Sequence, residues 1–222
     1  MKIGIFPGSF NPVHIGHLAV ANYVVEYGEF DEIWFLITPQ NPFKKKSDLI
    51  DQNLRLAWLE KSIGDYPKFK TCTVEWEMAQ PTYTINTLQR LRMMFPDNIF
   101  ELIIGSDNWE SIHRWKDYQL ILKNFKTWIY PRLGTGKIIF NHPNVHMVKG
   151  APKMEFSSSF IRKAIRRGKD IRFFLPEGVY EDIIANNVLI FEEITPEEIT
   201  PEEITPEEIT PKDVKEENLE NL

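Results

Sequence analysis

Hydrophobic positions along the first 191 residues follow two alternating spacings. Short β-rich apolar runs predict strands, and apolar residues three and four apart predict amphipathic helices. We predict strands over Lys2–Phe6, Asp31–Thr38, Phe69–Glu77, Phe100–Ile104, Lys126–Tyr130 and Val145–Val148. We predict helices over Ile15–Tyr27, Asn53–Ile63, Ile85–Phe95, Tyr118–Phe125, Ser158–Arg167 and Gly178–Asn186.

This alternation of strands and helices predicts an α/β fold. Strands joined through helices form βαβ units, which have right-handed crossovers and build a parallel sheet. In such sheets, ligands bind beyond the carboxyl ends of the strands. The loops expected to matter most are therefore Pro7–Val13, Pro39–Lys46, Gly105–Asp107 and the stretch before Ser157.

The C-terminal segment has a different pattern. A five-residue unit, Glu-Glu-Ile-Thr-Pro, repeats four times from Glu192 to Pro211. A proline in every unit prevents a continuous helix, and one isoleucine per unit cannot build a core. We therefore predict one domain over residues 1–191 and an extended or disordered acidic tail over 192–222. A partner-binding or self-docking strap is the alternative reading of the tail.

Charge separates the same two regions. The net charge of −6 comes from 26 basic and 32 acidic residues, of which two basic and twelve acidic residues lie from Glu192 onward. The tail therefore has a net charge of −10, and residues 1–191 have a net charge of +4. A mild basic excess suits a small polyanionic substrate and is too weak to indicate nucleic acid.

Two further features narrow the class of protein. No run of about 18 apolar residues occurs, which argues against a membrane span. The single cysteine, Cys72, cannot form a disulfide within the chain and fits a reducing compartment, so we expect a cytoplasmic location. The sequence leaves the oligomeric state open.

The first predicted strand ends in Gly-Ser-Phe-Asn-Pro-Val-His-Ile-Gly-His, positions 8–17. Gly8 permits close approach of the backbone to a ligand, and His14 and His17 lie three residues apart at the start of the following helix. Unpaired amides and the helix dipole favour an anion there, so two imidazoles can help to hold a phosphate chain. A capping histidine, a packing histidine and a metal pair are the other readings of this spacing.

A second polar cluster lies near the end of the folded part. Ser157, Ser158 and Ser159 precede a predicted helix that carries four basic residues, Arg162, Lys163, Arg166 and Arg167. A hydroxyl cap followed by a basic helix suits anion binding. An ordinary capped surface helix has the same pattern.

These two clusters together resemble the signature of the HxGH nucleotidyltransferase superfamily. Residues 6–17 are similar to its histidine motif, and residues 157–162 to its Ser-Ser-Thr-x-Ile-Arg motif, with Ser159 in place of threonine. The resemblance implies a Rossmann-like, doubly wound parallel sheet with helices on both faces.

Three other stretches resemble the bacterial nicotinate-mononucleotide adenylyltransferases of that superfamily. Residues 82–88 are similar to their Ser/Thr-Tyr-Thr-x-Asp-Thr-Leu stretch, with Asn86 in place of Asp. Residues 104–107, followed by Trp109 and Trp115, are similar to their Gly-Ala/Ser-Asp and Trp block. Residues 39–44 are similar to their loop of a proline pair and a lysine, with Phe43 where His is common.

The resemblance implies a role for individual residues. His14, His17 and Arg162 would be catalytic. The implied ATP-binding residues are Gly8, Ser9, Phe10, His14, His17, Gly105, Asp107, Ser158 and Arg162. The implied substrate-binding residues are Lys44, Thr84, Ile85 and Trp115, with backbone amides near Thr84 on the nicotinate carboxylate and Trp115 stacked on the pyridine ring.

The implied reaction transfers AMP from ATP to nicotinate mononucleotide and releases pyrophosphate by direct in-line attack. Mg²⁺ bound with ATP is the expected cofactor, and no protein metal site is expected. Another adenylyltransferase or cytidylyltransferase of the superfamily, acting for example on phosphopantetheine, is the alternative, as is a non-catalytic nucleotide-binding regulator.

Overall fold

The computed structural model describes residues 1–39, 49–132, 142–151, 153–154 and 156–189. Within these residues the chain forms a six-stranded sheet, and every paired strand runs parallel to its neighbour. The strands are β1 (Lys2–Gly8), β2 (Glu32–Ile37), β3 (Phe69–Cys72), β4 (Ile99–Gly105), β5 (Thr127–Tyr130) and β6 (Val145–Met147). Their order across the sheet is β3-β2-β1-β4-β5-β6, the order of a doubly wound Rossmann-like fold.

Helices cover both faces of this sheet. They are α1 (Ile15–Tyr27), α2 (Gln52–Ile63), α3 (Thr84–Met94), α4 (Ser106–Glu110), α5 (Tyr118–Asn124), α6 (Ser158–Arg166) and α7 (Val179–Ala185). Buried residues of α1, α2, α6 and α7 form one core with one face of the sheet. Buried residues of α3 and α5 form a second core on the other face. In the part of the chain that is described, no helix is long and apolar enough to cross a membrane.

Alternation along β1 explains how the sheet supports two cores. Ile3 and Ile5 point into the core beneath α3 and α5, while Phe6 packs in the core beneath α1. Such near-continuous apolar runs are typical of parallel strands that are buried on both faces. The predicted fold class is therefore confirmed. The predicted tail, residues 192–222, lies outside the described residues.

One predicted strand is wrong in its second half. The alternating stretch Phe69–Glu77 forms strand only to Cys72, and Val74–Glu77 is a 3₁₀ helix. The Trp76 indole N–H donates to the carbonyl oxygen of Ile37 at 3.1 Å, and the Glu75 side chain is buried. These tertiary contacts override the local alternation, because a strand would place Glu75 and Trp76 on opposite faces.

Several short elements were not predicted from the sequence. Helix α4 begins directly after β4, and 3₁₀ turns occupy Ile112–Arg114 and Arg172–Phe174. Each has five residues or fewer, so it spans too few turns to show a helical period.

Helix α3 follows directly after the Thr-Tyr-Thr stretch, and its position depends on a buried stripe. Leu88 is fully buried in the core under α3, whereas Met93 on the same helix is 82% exposed. Removing the Leu88 side chain leaves a cavity that the surrounding side chains only partly fill.

We therefore expect Leu88→Ala to lower the free energy of unfolding by about 2–5 kcal/mol. Met93→Ala, the matched change on the exposed face of α3, should alter it by less than about 0.5 kcal/mol. Urea denaturation followed by circular dichroism measures both values. Equal effects at the two positions would contradict the packing described for α3.

Candidate active site

The centre of the sheet contains the topological switch point. Strands β1 and β4 are neighbours there, and the chain leaves β1 toward β2 on one side and β4 toward β5 on the other. Gly8 and Gly105 are the last residues of these two strands. Open α/β sheets bind ligands at such a crevice beyond the carboxyl ends of the strands.

The turn after β1 is tightly packed. A Cβ atom on Gly8 would lie 2.8 Å from the Phe10 ring, so only glycine fits there. Phe10 itself has a φ of 44°, a left-handed conformation that is strained for a bulky side chain. Its ring is 2% exposed and packs edge-on against Phe6 and His17. The Phe10 side chain is therefore a core group, and only its backbone lies at the site.

The two motif histidines are in direct contact. Their rings stack with centroids 3.6 Å apart, and the His14 backbone N–H donates to His17 Nδ1 at 3.3 Å. That bond makes Nδ1 an acceptor, so in the neutral ring the proton of His17 is on Nε2. His14 is the N-cap of α1 and has extended backbone angles, so it precedes the helix. The His14 and His17 rings therefore stack on each other at the start of α1 and do not lie side by side on one face of the helix.

His14 is buried without a hydrogen-bond partner for its ring. Its side chain is 2% exposed, and neither ring nitrogen has a partner among the described residues. Burial, assisted by the positive charge of Arg132, lowers the pKa of His14 to about 3. Buried polar atoms without partners are rare, and each calls for an explanation such as a ligand.

A pocket opens beside this ring. It is lined by residues that include His14, Gly16, His17, Tyr130, Arg132 and Phe156. The pocket is tight at Gly16, where a Cβ would lie 3.1 Å from His14 Nδ1 and 3.4 Å from Phe156, so a larger side chain would press on the His14 ring. The unpartnered His14 and the guanidinium of Arg132 therefore border one space that suits an anion.

Helix α6 is fastened to the turn after β1. Ser157 caps the helix by accepting from the Phe160 amide, as predicted. The Ser158 hydroxyl donates to the Pro12 carbonyl oxygen at 2.9 Å, and Arg162 Nη1 donates to the Asn11 carbonyl oxygen at 2.9 Å. The two sequence motifs are thus brought together across about 150 residues of chain, and the charge of Arg162 lies beside the histidine turn.

Arg132, which pairs with Asp107 beyond the end of β4, is a site residue that was not predicted from the sequence. Gly105 is the N-cap of α4, so Asp107 lies in the first turn of that helix and is not its cap. The Asp107 carboxylate pairs with Arg132 at 2.8 Å. Arg132 follows β5, whose last residue, Tyr130, pairs with Gly105 in the sheet. The register of β5 with β4 brings Arg132 to the pocket beside His14, so no spacing along the sequence could have linked Arg132 to the histidine motif.

A second group of predicted residues surrounds the start of α3. Thr84 and Ile85 are its first two residues, and the Ile85 side chain is 2% exposed, which leaves its backbone as the part that can reach a ligand. Trp115 packs on the same core as Tyr83, and the neighbouring Lys116 ammonium lies 4.6 Å from the centre of the Tyr83 ring. The structure therefore brings these two stretches together. Lys44 lies outside the described residues.

A parallel sheet in this order, with a pocket suited to an anion beside its switch point, is typical of the Rossmann-like nucleotide-binding class. Residues 5–164 match the family model described as cytidylyltransferase-like. A protein of Azobacteroides pseudotrichonymphae, named "Probable nicotinate-nucleotide adenylyltransferase", is 60% identical over 186 residues, which are 84% of this chain and 98% of that protein. A Bacteroides fragilis protein of the same name is 48% identical and is covered over 91% of its length. The chain therefore belongs to the nicotinate-nucleotide adenylyltransferase family and is a nucleotidyltransferase.

Solved structures agree on the fold. The nicotinic acid mononucleotide adenylyltransferase of Plasmodium falciparum, solved with NaAD, superposes with a TM-score of 0.70 at 22% identity. The match covers 86% of this chain and 98% of that one. At this identity the comparison supports the architecture, and the family assignment depends on the closer sequence relatives.

The buried state of His14 predicts a pH effect on stability. The pKa is about 3 in the folded protein and near 6.5 in the unfolded chain, so between these values the unfolded chain binds a proton that the folded protein does not. The unfolding free energy of the wild type should therefore fall as pH decreases through this window, by up to about 1.4 kcal/mol per pH unit from this group.

His14→Gln removes this titration while leaving a polar side chain. Urea denaturation of both proteins at a series of pH values from 7 to 4 isolates the effect, because contributions from other groups cancel in the difference. We expect the wild type to lose stability relative to His14→Gln as pH falls. A constant difference over the whole range would show that His14 is not buried in its neutral form.

Proposed function

We propose that this protein transfers the AMP group of ATP to the phosphate of nicotinate mononucleotide, forming nicotinate adenine dinucleotide and releasing pyrophosphate. The observation that carries the proposal is the stacked pair of the buried His14 and the half-buried His17, beside the turn to which Ser158 and Arg162 of α6 are hydrogen-bonded. A phosphate chain is the ligand that matches these donors and charges.

ATP would lie across the switch point. In this proposal the backbone of Gly8, Ser9 and Phe10 approaches the nucleotide, and Gly105 and Asp107 border the adenosine. The phosphates would meet His14, His17, Ser158 and Arg162, and they would give a partner to the His14 ring nitrogens, which have none among the described residues. Arg132, which pairs with Asp107 and lines the same pocket as His14, would add positive charge beside the phosphates.

The chemical step needs no covalent intermediate. An oxygen of the mononucleotide phosphate would attack the α-phosphorus of ATP, and the bond from that phosphorus to the bridging oxygen of pyrophosphate would break. Because His17 Nδ1 accepts from the His14 backbone, it is the Nε2–H of this ring that would donate to the charge that develops on the α-phosphate and on the leaving group. Alignment and charge stabilisation then supply the rate enhancement.

The mononucleotide would bind at the start of α3. The first amides of a helix have no acceptor within it, so the backbone of Thr84 and Ile85 suits the nicotinate carboxylate. Trp115 offers a flat surface for the pyridine ring, and Lys44 is the further substrate-binding residue of the proposal. The positions of Tyr83 and Trp115 on a common core support this arrangement.

Mg²⁺ would accompany ATP as the complex of its phosphates. Among the described residues, no group of three or more His, Cys, Asp or Glu side chains is placed to hold a metal ion. We therefore assign no protein ligands to the ion and route no step through it. A cytoplasmic location, where ATP is abundant and Cys72 stays reduced, completes the proposal.

Pyrophosphate release by the purified protein with Mg-ATP tests the assignment. Nicotinate mononucleotide, nicotinamide mononucleotide and phosphopantetheine are supplied in separate reactions. We expect turnover with the first, because its carboxylate matches the α3 amides, and weaker turnover with the second. Turnover with phosphopantetheine alone would overturn the proposed substrate.

His17 offers the sharpest test of the mechanism. We expect His17→Ala to lower kcat by about 10²–10³, the usual loss when one donor to a transition-state charge is removed. His142→Ala is the matched control, since His142 lies three residues before β6 and its ring accepts from the Asn144 backbone amide at 3.2 Å. Steady-state kinetics with circular dichroism of each variant measure both effects. A folded His17→Ala protein with wild-type kcat would exclude the role given to this residue.

A further inference from the structure

A buried carboxylate lies beside the start of α3. Glu75 belongs to the 3₁₀ turn Val74–Glu77 and is 3% exposed. One of its carboxylate oxygens accepts from the Thr82 hydroxyl at 3.1 Å, and the other accepts from the Thr87 hydroxyl at 2.7 Å. These two threonines lie on either side, in the sequence, of the first two residues of α3, whose backbone is assigned to the mononucleotide.

The 3₁₀ turn that carries Glu75 is fixed to the sheet. The Trp76 indole donates to the carbonyl oxygen of Ile37, the last residue of β2, at 3.1 Å. Val74 is buried in the core that α3 and α5 cover, whereas Trp76 packs against the core on the other face of the sheet. Because the turn contacts a strand end and both cores, Glu75 has a fixed position from which it can hold another segment.

The loop between this turn and α3 also bonds to Glu75. The Gln80 side-chain amide donates to the carbonyl oxygen of Glu75 at 2.9 Å and to that of Met78 at 3.2 Å. The Met78 backbone amide donates to the same Glu75 carbonyl oxygen at 3.2 Å. Main-chain and side-chain oxygens of Glu75 therefore hold the loop and the first turn of α3 together.

Helix α3 begins without a side-chain cap. Its N-cap residue is Tyr83, whose side chain makes no capping hydrogen bond. A hydroxyl or carboxylate cap would accept from the first-turn amides, and these are the amides that the proposed function gives to the nicotinate carboxylate. The hydroxyls of Thr82 and Thr87 donate to Glu75 instead, so the start of α3 is held through side chains and not through its amides.

Burying this carboxylate has a cost in free energy. Burial raises the pKa of Glu75, and the hydrogen bonds from Thr87 and Thr82 oppose that shift. Apolar side chains of similar volume often stabilise a fold equally well. A carboxylate with a donor on each oxygen instead restricts geometry, because both directional bonds must be satisfied at once.

We propose that Glu75 is a positioning residue that sets the preference for nicotinate over nicotinamide mononucleotide. Through the hydroxyls of Thr82 and Thr87, it holds the first two amides of α3 where the nicotinate carboxylate requires them. The proposal rests on the proposed function, because that function places the carboxylate on these amides. Backbone N–H groups donate to both oxygens of a carboxylate, whereas the NH₂ group of nicotinamide offers them no acceptor.

Glu75→Met removes both acceptors and keeps a side chain of similar length. We expect the KM for nicotinate mononucleotide to rise by about tenfold while the KM for ATP changes by less than about threefold, because only the mononucleotide contacts are displaced. The ratio of kcat/KM for nicotinate mononucleotide to that for nicotinamide mononucleotide should fall by about fivefold. Equal rises of the two KM values, or an unchanged ratio, would overturn the proposal.

Glu75→Gln distinguishes the hydrogen bonds from the charge. Its side-chain oxygen can accept from Thr87 and its NH₂ group can donate to the Thr82 hydroxyl, so both bonds form without a negative charge. We expect both KM values and the preference ratio to stay within about threefold of the wild type. A Glu75→Gln protein as impaired as Glu75→Met would overturn the proposal, since the charge and not the geometry would then be responsible.

Thr87→Val keeps the proposal testable even where Glu75→Met does not fold, and it has a matched control. Thr87 and Thr127 are both fully buried, but the Thr127 hydroxyl has no hydrogen-bond partner among the described residues. Thr87→Val should raise the KM for nicotinate mononucleotide by about fivefold, and Thr127→Val should leave it within about twofold. Similar KM values for the two variants would contradict the role given to Glu75.

Hydrogen exchange without substrates separates this proposal from the proposed function. Thr87→Val should increase exchange in residues 82–87, and Thr127→Val should not. Unchanged exchange in this segment of the Thr87→Val protein would overturn the positioning role. If exchange changes as expected and the wild type still releases no pyrophosphate from ATP with nicotinate mononucleotide, the proposed function is overturned and the hold of Glu75 on α3 is upheld.

Discussion

The site depends on how the turn after β1 satisfies its own carbonyl groups. This turn lies between β1 and α1 and is largely buried, and a buried carbonyl without a donor is costly. Gly8 and Ser9 receive donors from the Thr38 backbone and from Arg55, while Asn11 and Pro12 receive donors from Arg162 and Ser158. Three distant segments, the end of β2, α2 and α6, are therefore held at the turn that precedes the histidines.

The ring of His14 differs from the carbonyl groups of this turn, because it is buried without a hydrogen-bond partner among the described residues. The protein supplies donors to the Ser9, Asn11 and Pro12 carbonyl oxygens of the turn and leaves both nitrogens of the His14 ring without a partner among the described residues. Keeping the ring neutral in the empty protein lowers the cost of its burial. The negative charge of a phosphate would favour the protonated ring, so ligand and imidazole would each stabilise the charge of the other.

In the proposed function, each of the two cores supports the binding residues of one substrate. The core under α1, α2, α6 and α7 supports the histidine turn and the capped basic helix, whereas the core under α3 and α5 supports Tyr83 and Trp115. The sheet lies between these cores, so residues supported by one core meet residues supported by the other at the carboxyl ends of the strands. Arg55, which donates to the carbonyl oxygens of Ser9 and Thr38, lies at these carboxyl ends.

The sequence by itself determined the sheet, most element boundaries and the two motifs, because apolar periodicity and hydroxyl caps are local properties of the chain. Helix α1 has the predicted bounds, and Ser157 caps α6 as its pattern indicates. Only the tertiary structure decided where Glu75 and Arg132 lie: one ends a predicted strand early through contacts to α3, and the other reaches the histidine pocket through the register of β5 with β4. The burial of His14, Arg55 and Glu75 also came from packing between elements far apart in the chain, because burial and long-range hydrogen bonds have no local period that a sequence can reveal.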